Sequence, residues 1–250
     1  MVLISELKSL NGYWKYEEGK KYLAKLTSGK ISDTFVNTGV LTMLPVLLEN
    51  IVSNLYKGYV SEIPEGAYTE IIKYNPDYVC SPSVGAITLG YELARKFPCK
   101  AIFTEPKYDI MRCNYGCNDL VCPCDELTII KNGQELKRFE ISEGSRILFA
   151  EDVVTTGKST REMIMAVDKS CGEGKIKVIP YLLCLVNRSG MDKIGISSDV
   201  RVSSRLSLKI ISLAEVNART WDTLEDAQRD CPSVIEALGP KQNWKKLVEG

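Results

Sequence analysis

Histidine is missing from all 250 residues, and that absence removes more chemistry than any other feature of the chain. Ser-His-Asp and Cys-His catalysis are excluded, as is any metal site that needs imidazole. Net charge is missing too. The 32 basic residues balance 32 acidic ones, so no overall field draws the chain to nucleic acid or to an anionic membrane. An anionic ligand must then be held by local charge and by backbone N–H groups. No apolar run approaches the roughly 20 residues that span a bilayer. The first residues, Met1 to Lys8, lack the charged and apolar regions of a signal peptide. Nine cysteines is an odd number in a chain large enough to fold without disulfides, so a reducing cytoplasm is the expected location. What remains is carboxylate, Lys/Arg, hydroxyl and backbone chemistry. The 44% hydrophobic content suffices for a full core.

Periodicity points to the α/β class. Residues 1–11 and about 13–25 read as short amphipathic helices, and 26–39 as a hairpin-like element of turn formers around Ile31, Thr34 and Val36. Leu41 to Tyr56 has apolar residues at helical spacing, with Pro45 tolerable only in a first turn. From there apolar strands alternate with helices: strands at 78–80, 100–104, 146–150, 177–186 and 208–212, helices at 85–97 and 158–170. Thr128 to Lys131, Asn132-Gly133 and Gln134 to Ile141 read as a hairpin, because Asn-Gly favours a type I′ turn. Alternation of this kind predicts a mostly parallel sheet with crossover helices. No repeat or linker interrupts it, so a single domain is expected over 1–250.

The most informative stretch runs from Ile147 to Thr160. An apolar strand ends in Glu151 and Asp152, then come Val153, Val154, Thr155, Thr156, Gly157, Lys158 and Ser159 at a helix start. In open parallel sheets ligands bind beyond the carboxyl ends of the strands. A loop entering a helix offers unpaired N–H groups and the positive end of the dipole, which suits phosphate. Gly157 allows close backbone approach, and the hydroxyls add donors. Two acids beside a phosphate cradle suit a sugar phosphate, with carboxylates accepting from vicinal hydroxyls. Three plainer readings stand beside this one. Thr-Gly-Lys-Ser resembles a Walker A loop, but that motif requires Gly where Asp152 stands. The acids are also what a helix N-terminus favours, and the hydroxyls are also what caps it.

The stretch from the apolar strand through Glu151-Asp152-Val-Val-Thr-Thr-Gly-Lys-Ser159 resembles the phosphoribosyl diphosphate signature of type I phosphoribosyltransferases. The likeness extends to the orotate phosphoribosyltransferase family. It includes Leu26-Thr-Ser-Gly-Lys-Ile-Ser32, Ser81-Pro-Ser-Val-Gly85-Ala-Ile, Phe103-Thr-Glu, Leu136-Lys-Arg-Phe, Val186-Asn-Arg-Ser-Gly190 and Cys231-Pro. It covers most of 22–240 except for a gap near 107–134.

The resemblance implies a core of about 75–190 with a hairpin or insertion at 107–141, and a small hood from about 1–40 and 205–250. It implies transfer of the phosphoribosyl group from 5-phosphoribosyl 1-diphosphate (PRPP) to orotate, with Mg²⁺ bound mainly through the substrate diphosphate. Glu151 and Asp152 would bind the ribose hydroxyls and Thr155 to Ser159 the 5′-phosphate, with Val153 and Val154 in the same PRPP-binding stretch. Ser81, Ser83, Val84 and Gly85 would carry the diphosphate. Ser28, Gly29, Lys30, Thr155 and Arg188 would hold orotate, and Lys107, Lys137 and Arg138 are candidate cations near the leaving diphosphate. A homodimer is implied, with neither nucleic acid nor membrane as partner. The alternatives are transfer to a purine or another base, and a non-catalytic sensor of PRPP or a nucleotide with the same fold.

Two departures from the family pattern stand out. Asn187 occupies the position of an Asp before Arg188. The segment 107–134 is long and carries Cys113, Cys117, Cys122 and Cys124 at a C-x3-C-x4-C-x-C spacing. Four thiolates suit Zn²⁺, but the spacing is unlike common zinc knuckles, and free thiols in a surface insertion are the alternative.

Overall fold

The computed structural model describes residues 2–26, 29–64, 74–111, 128–196 and 207–249. After a helix over Val2–Ser9 the chain makes four short strands, β1 (Tyr13–Lys15), β2 (Tyr22–Lys25), β3 (Ile31–Ser32) and β4 (Thr34–Val36). The expected helix over 13–25 is therefore two strands. Gly19 turns the chain between them at φ +89°, and distant pairings win over local helix periodicity: β1 with β4, β2 with β3. The hairpin-like element expected over 26–39 is only partly met: β3 lies in that range, but its antiparallel partner β2 precedes it, and β4 pairs with β1. A one-turn helix, Gly39–Thr42, follows, and the long helix starts at Pro45, later than periodicity suggests, and runs to Ser61. Pro45 sits in its first turn, where its missing N–H costs nothing.

The central sheet follows. Its strands are β5 (Tyr78–Pro82), β6 (Lys100–Met111), β7 (Thr128–Glu135), β8 (Arg146–Val154), β9 (Lys177–Asn187), β10 (Lys193–Gly195) and β11 (Ser207–Glu215). They lie in the order β10-β11-β9-β8-β5-β6-β7. Strands β6, β5, β8, β9 and β11 are mutually parallel, and β7 and β10 add antiparallel edges. The mostly parallel α/β sheet is as expected. Two details are not. Asn132-Gly133 makes no hairpin turn; it lies inside β7, where the register with β6 slips between Pro106 and Tyr108. Gly133 at φ +92° absorbs the extra residue as a bulge. And β8 continues past Ala150 to Val154, so the two acids lie within the strand rather than after it.

Strands β5 and β8 are buried along nearly their whole length, as parallel strands covered on both faces must be. Alternate side chains feed two cores. Val79, Leu148, Ala150, Leu183 and Leu185 pack with Leu48, Val52, Leu55, Leu89 and Leu93 of the helices Pro45–Ser61 and Ile87–Lys96. Cys80, Ile147, Phe149, Leu182 and Cys184 pack with Met163, Ile164 and Val167 of the helix Lys158–Cys171.

A third core lies under a four-stranded sheet built from both chain ends. Strands β12 (Thr220–Trp221) and β13 (Glu236–Leu238) flank β3 and β2 in the order β12-β3-β2-β13. Trp14, Leu23, Ala24 and Ile31 meet Ala227, Val234, Leu238 and Leu247 there. Among the described residues no helix is long and apolar enough to cross a membrane.

Candidate active site

Sheet order fixes where a ligand can sit. The chain passes from β5 outward to β6, then returns to the other side of β5 for β8 and continues to β9 and β11. That reversal opens a crevice beyond the carboxyl ends of β5 and β8. A cleft of about 680 Å³ occupies it, walled on one side by the β8 tip and on the other by the small sheet. Of the sequence-derived candidates, Lys30, Gly85, Asp152, Val153, Thr155, Thr156 and Arg188 all line it.

The two acids part company. Side chains alternate along a strand. Asp152 faces the cleft, where its Oδ2 accepts from Thr38 Oγ1 at 2.7 Å. Gly85 presses against it from β5's loop: a Cβ there would stand 2.7 Å from Asp152 Oδ2, so only glycine fits beside the carboxylate. Glu151 points the other way and is 6% exposed. It accepts a hydrogen bond from Thr160 Oγ1 in the first turn of the helix Lys158–Cys171. Burial pushes its carboxyl up to about 7, against the pull of hydrogen bonds from Thr160 and Ser159.

Beyond β8 the chain turns through Thr155, Thr156 and Gly157. Gly157 is left-handed at φ +69°, and a side chain there would meet Ile194 at 2.9 Å. The exposed Thr155 and Thr156 thus stand before the N-terminus of a 14-residue helix, the geometry that binds phosphate. Val154 is buried in the core, and its carbonyl accepts from the backbone N–H of Arg188 at 2.8 Å. Ser159 receives a hydrogen bond from Gln134 Nε2 at 3.0 Å. Lys158 lines a second cavity of about 500 Å³ together with Lys107, between β7 and the helix.

At the end of β5, Ser81 is buried against Gly90, where a Cβ would stand 2.4 Å from its Oγ. The Ser83 N–H donates to Thr104 O, the Ser83–Val84 peptide is cis, and Val84 is exposed.

Arg188 closes the opposite end. Its Nη2 donates to Ser32 Oγ and to Thr34 O, both at 3.0 Å, while its Nε is buried with no partner among the described residues. Burial pulls the guanidinium below its ordinary pKa, opposed by the field of Asp33, and it stays cationic at neutral pH. A buried donor left unpaired costs on the order of 1–3 kcal/mol, so Arg188 offers a ready place for an acceptor. Asn187 braces the turn behind it. Its Oδ1 accepts from Ser189 N and Oγ, and its Nδ2 donates to Met191 O at 3.0 Å, a donation that an Asp at this position would lack. Lys30 lines the cleft from a tight turn that holds Gly29 at φ +86°, and pairs with Asp222 at 2.9 Å.

Two expected participants stand elsewhere. Lys137 pairs with Glu135 at 2.9 Å and Arg138 with Glu105, both exposed just after β7. Ser28 and the cysteines Cys113, Cys117, Cys122 and Cys124 lie outside the described residues. Sequence reasoning missed Thr38, Ser32 and Lys241; Thr38 and Lys241 line the cleft. Of these only Lys241 carries a charge, and it lies far along the chain in the C-terminal helix.

No family model matches the chain. It is similar to curated orotate phosphoribosyltransferases. That of Thermoanaerobacter sp. (strain X514) is 33% identical over 216 residues, 85% of this chain and 83% of that protein. That of Caldicellulosiruptor bescii is 32% identical over 165 residues, 66% of each chain. That of Caldicellulosiruptor saccharolyticus is 29% identical over 184 residues, 74% of this chain and 75% of that one. Among solved structures, orotate phosphoribosyltransferase from Aeropyrum pernix has a TM-score of 0.49 at 15% identity, covering 92% of this chain and 97% of that one. One third of the residues shared with the Thermoanaerobacter protein, across most of both chains, means that this chain belongs to the orotate phosphoribosyltransferase family.

Proposed function

We propose that the chain transfers the phosphoribosyl group of PRPP to N1 of orotate, giving orotidine 5′-phosphate and diphosphate. The observation that carries the reading is one cleft with two unlike ends. At the core end Asp152 and the Thr155–Gly157 turn adjoin a helix N-terminus; at the hood end stand Arg188, with a buried unpaired donor, and Lys30. A phosphorylated pentose suits the first and an anionic base the second.

The roles follow from that geometry. Asp152 accepts from a ribose hydroxyl, held in place by Thr38 and by the bare Cα of Gly85. Backbone N–H groups from Thr155 to Ser159 take the 5′-phosphate. The Ser83–Gly85 loop faces the diphosphate. Arg188 takes the orotate carboxylate, a charge-assisted contact that fixes N1 relative to C1 of the ribose. The C1–O bond to diphosphate breaks as the N1–C1 bond forms, with positive charge building on the sugar. Orotate is itself anionic, so the step needs no strong base, in keeping with a chain without histidine. Of the three cations expected near the leaving group, Lys137 and Arg138 are held in ion pairs and Lys107 lines the second cavity rather than the cleft, so none is assigned to the diphosphate.

The donor set of the cleft suits Mg²⁺ held mainly by substrate. Asp152 is the carboxylate that lines it, and Mg²⁺ keeps several waters and binds through one or two carboxylates plus phosphate oxygens. When bound, Mg²⁺ neutralises charge on the departing diphosphate. The same reading makes the protein a cytoplasmic homodimer.

A test is to mix the purified protein with Mg²⁺, PRPP and a panel of bases and follow diphosphate release. Orotate alone should be consumed. Release only with hypoxanthine, guanine or uracil would overturn the base assignment.

A further inference from the structure

Behind Arg188 lies a buried hydroxyl that links three segments of the chain. Ser32 has no exposed surface. Its Oγ donates to the carbonyl of Arg219 at 3.0 Å, accepts from Thr34 N at 3.2 Å, and accepts from Arg188 Nη2 at 3.0 Å. A serine hydroxyl has one donor and two acceptor positions, so the whole capacity of Ser32 is used. Because its one proton is committed to Arg219, its lone pairs are fixed in direction, and one of them receives the guanidinium.

The carbonyl that sets this orientation is itself held. Asp33 N–H donates to the same Arg219 oxygen at 3.2 Å. The Asp33 carboxylate accepts from Arg219 N at 2.9 Å and Nε at 3.0 Å, and it is 4% exposed. Next along the chain, Thr220 and Trp221 pair in register with Ser32 and Ile31. Arg188 lines the cleft on one side and a smaller cavity beside Arg219 on the other. Without Ser32, nothing in this arrangement fixes which way its fork faces except the single carbonyl of Thr34.

We propose that Ser32 is a positioning residue for base selection: its hydroxyl, oriented by the Arg219 carbonyl, aims Arg188 and makes the segment around Arg219 part of the base site. The proposal rests on the reading that Arg188 holds the base.

The experiment is a double-mutant cycle of Ser32→Ala and Arg188→Ala, with KM and kcat measured separately for orotate and PRPP, and Tm for each variant. Losing one hydrogen bond to a charged group should raise the orotate KM about tenfold for Ser32→Ala. The PRPP KM should stay within about twofold, because the Asp152 end is untouched. In the Arg188→Ala background, Ser32→Ala should change nothing further in the orotate KM. Ser32→Cys keeps the volume with a poor acceptor and should show the same selective loss, which covers the case in which the alanine variant does not fold. An equal rise in both KM values, or an undiminished Ser32→Ala effect without Arg188, would overturn the relay while leaving Arg188 in its role. An orotate KM indifferent to Arg188→Ala would overturn both.

Discussion

The two ends of the cleft are built in different ways. At the core end the binding groups sit on strands of five to eleven residues, paired on both sides and sealed by two apolar cores. The ligand-facing parts there are a strand tip, a glycine and a turn into a helix, so backbone geometry does most of the positioning. At the hood end the strands have two to four residues and come from both ends of the chain. Position there depends on a relay from the Asp33 carboxylate through Arg219 and its backbone carbonyl to the Ser32 hydroxyl and Arg188. A rigid end suits the part of the substrate that stays constant in phosphoribosyl transfer, and a relay suits the part that must be chosen.

Substitutions at the tip of β8 sharpen the contrast. Asp152→Asn keeps the shape of the core end and removes the charge proposed to accept from the sugar. Turnover should fall about tenfold to a hundredfold, the size of a lost charge-assisted hydrogen bond, with little change in Tm. Unchanged turnover would mean that the core end does not hold the ribose through this acid.

Glu151→Gln should act on pH dependence instead. Burial raises the folded-state pKa of Glu151 from 4.5 to about 7. Between those values the folded state holds a proton that the unfolded chain has lost. The stabilisation is therefore complete below about pH 4.5 and is lost as pH rises through about 7. Denaturant midpoints from pH 5 to 8 should fall for the parent protein relative to the Gln variant. Parallel curves would show that Glu151 is not protonated in this range.

The contrast between the two ends also sets what could be read from the sequence. The parallel strands were legible because burial on both faces demands continuous apolar runs such as Ile147 to Ala150 and Leu182 to Val186. The β8 tip and its turn were legible because acids, hydroxyls and a glycine fall together in one short stretch. The hood was not, since its strands exist only through pairings such as Ile31 with Trp221 and Tyr22 with Glu236. That is why residues 13–25 read as a helix. Asn132-Gly133 carries a turn signal that a bulge satisfies equally well, and only the pairing of β6 with β7 decides between them. Ser32 and Thr38 are ordinary hydroxyls in sequence; only the fold puts one under Arg188 and the other on Asp152. The same alternation that makes β8 a strand separates Glu151 from Asp152, so adjacency of the two acids did not place both side chains in the cleft.

The most direct measurement is a crystal structure of the protein with orotidine 5′-phosphate. The phosphate should lie on the N–H groups of the turn after Thr155, a ribose hydroxyl on Asp152, and the base carboxylate on Arg188, all within the cleft between the sheets. Nucleotide bound instead in the cavity lined by Lys107, Lys131 and Lys158, with this cleft empty, would contradict the account.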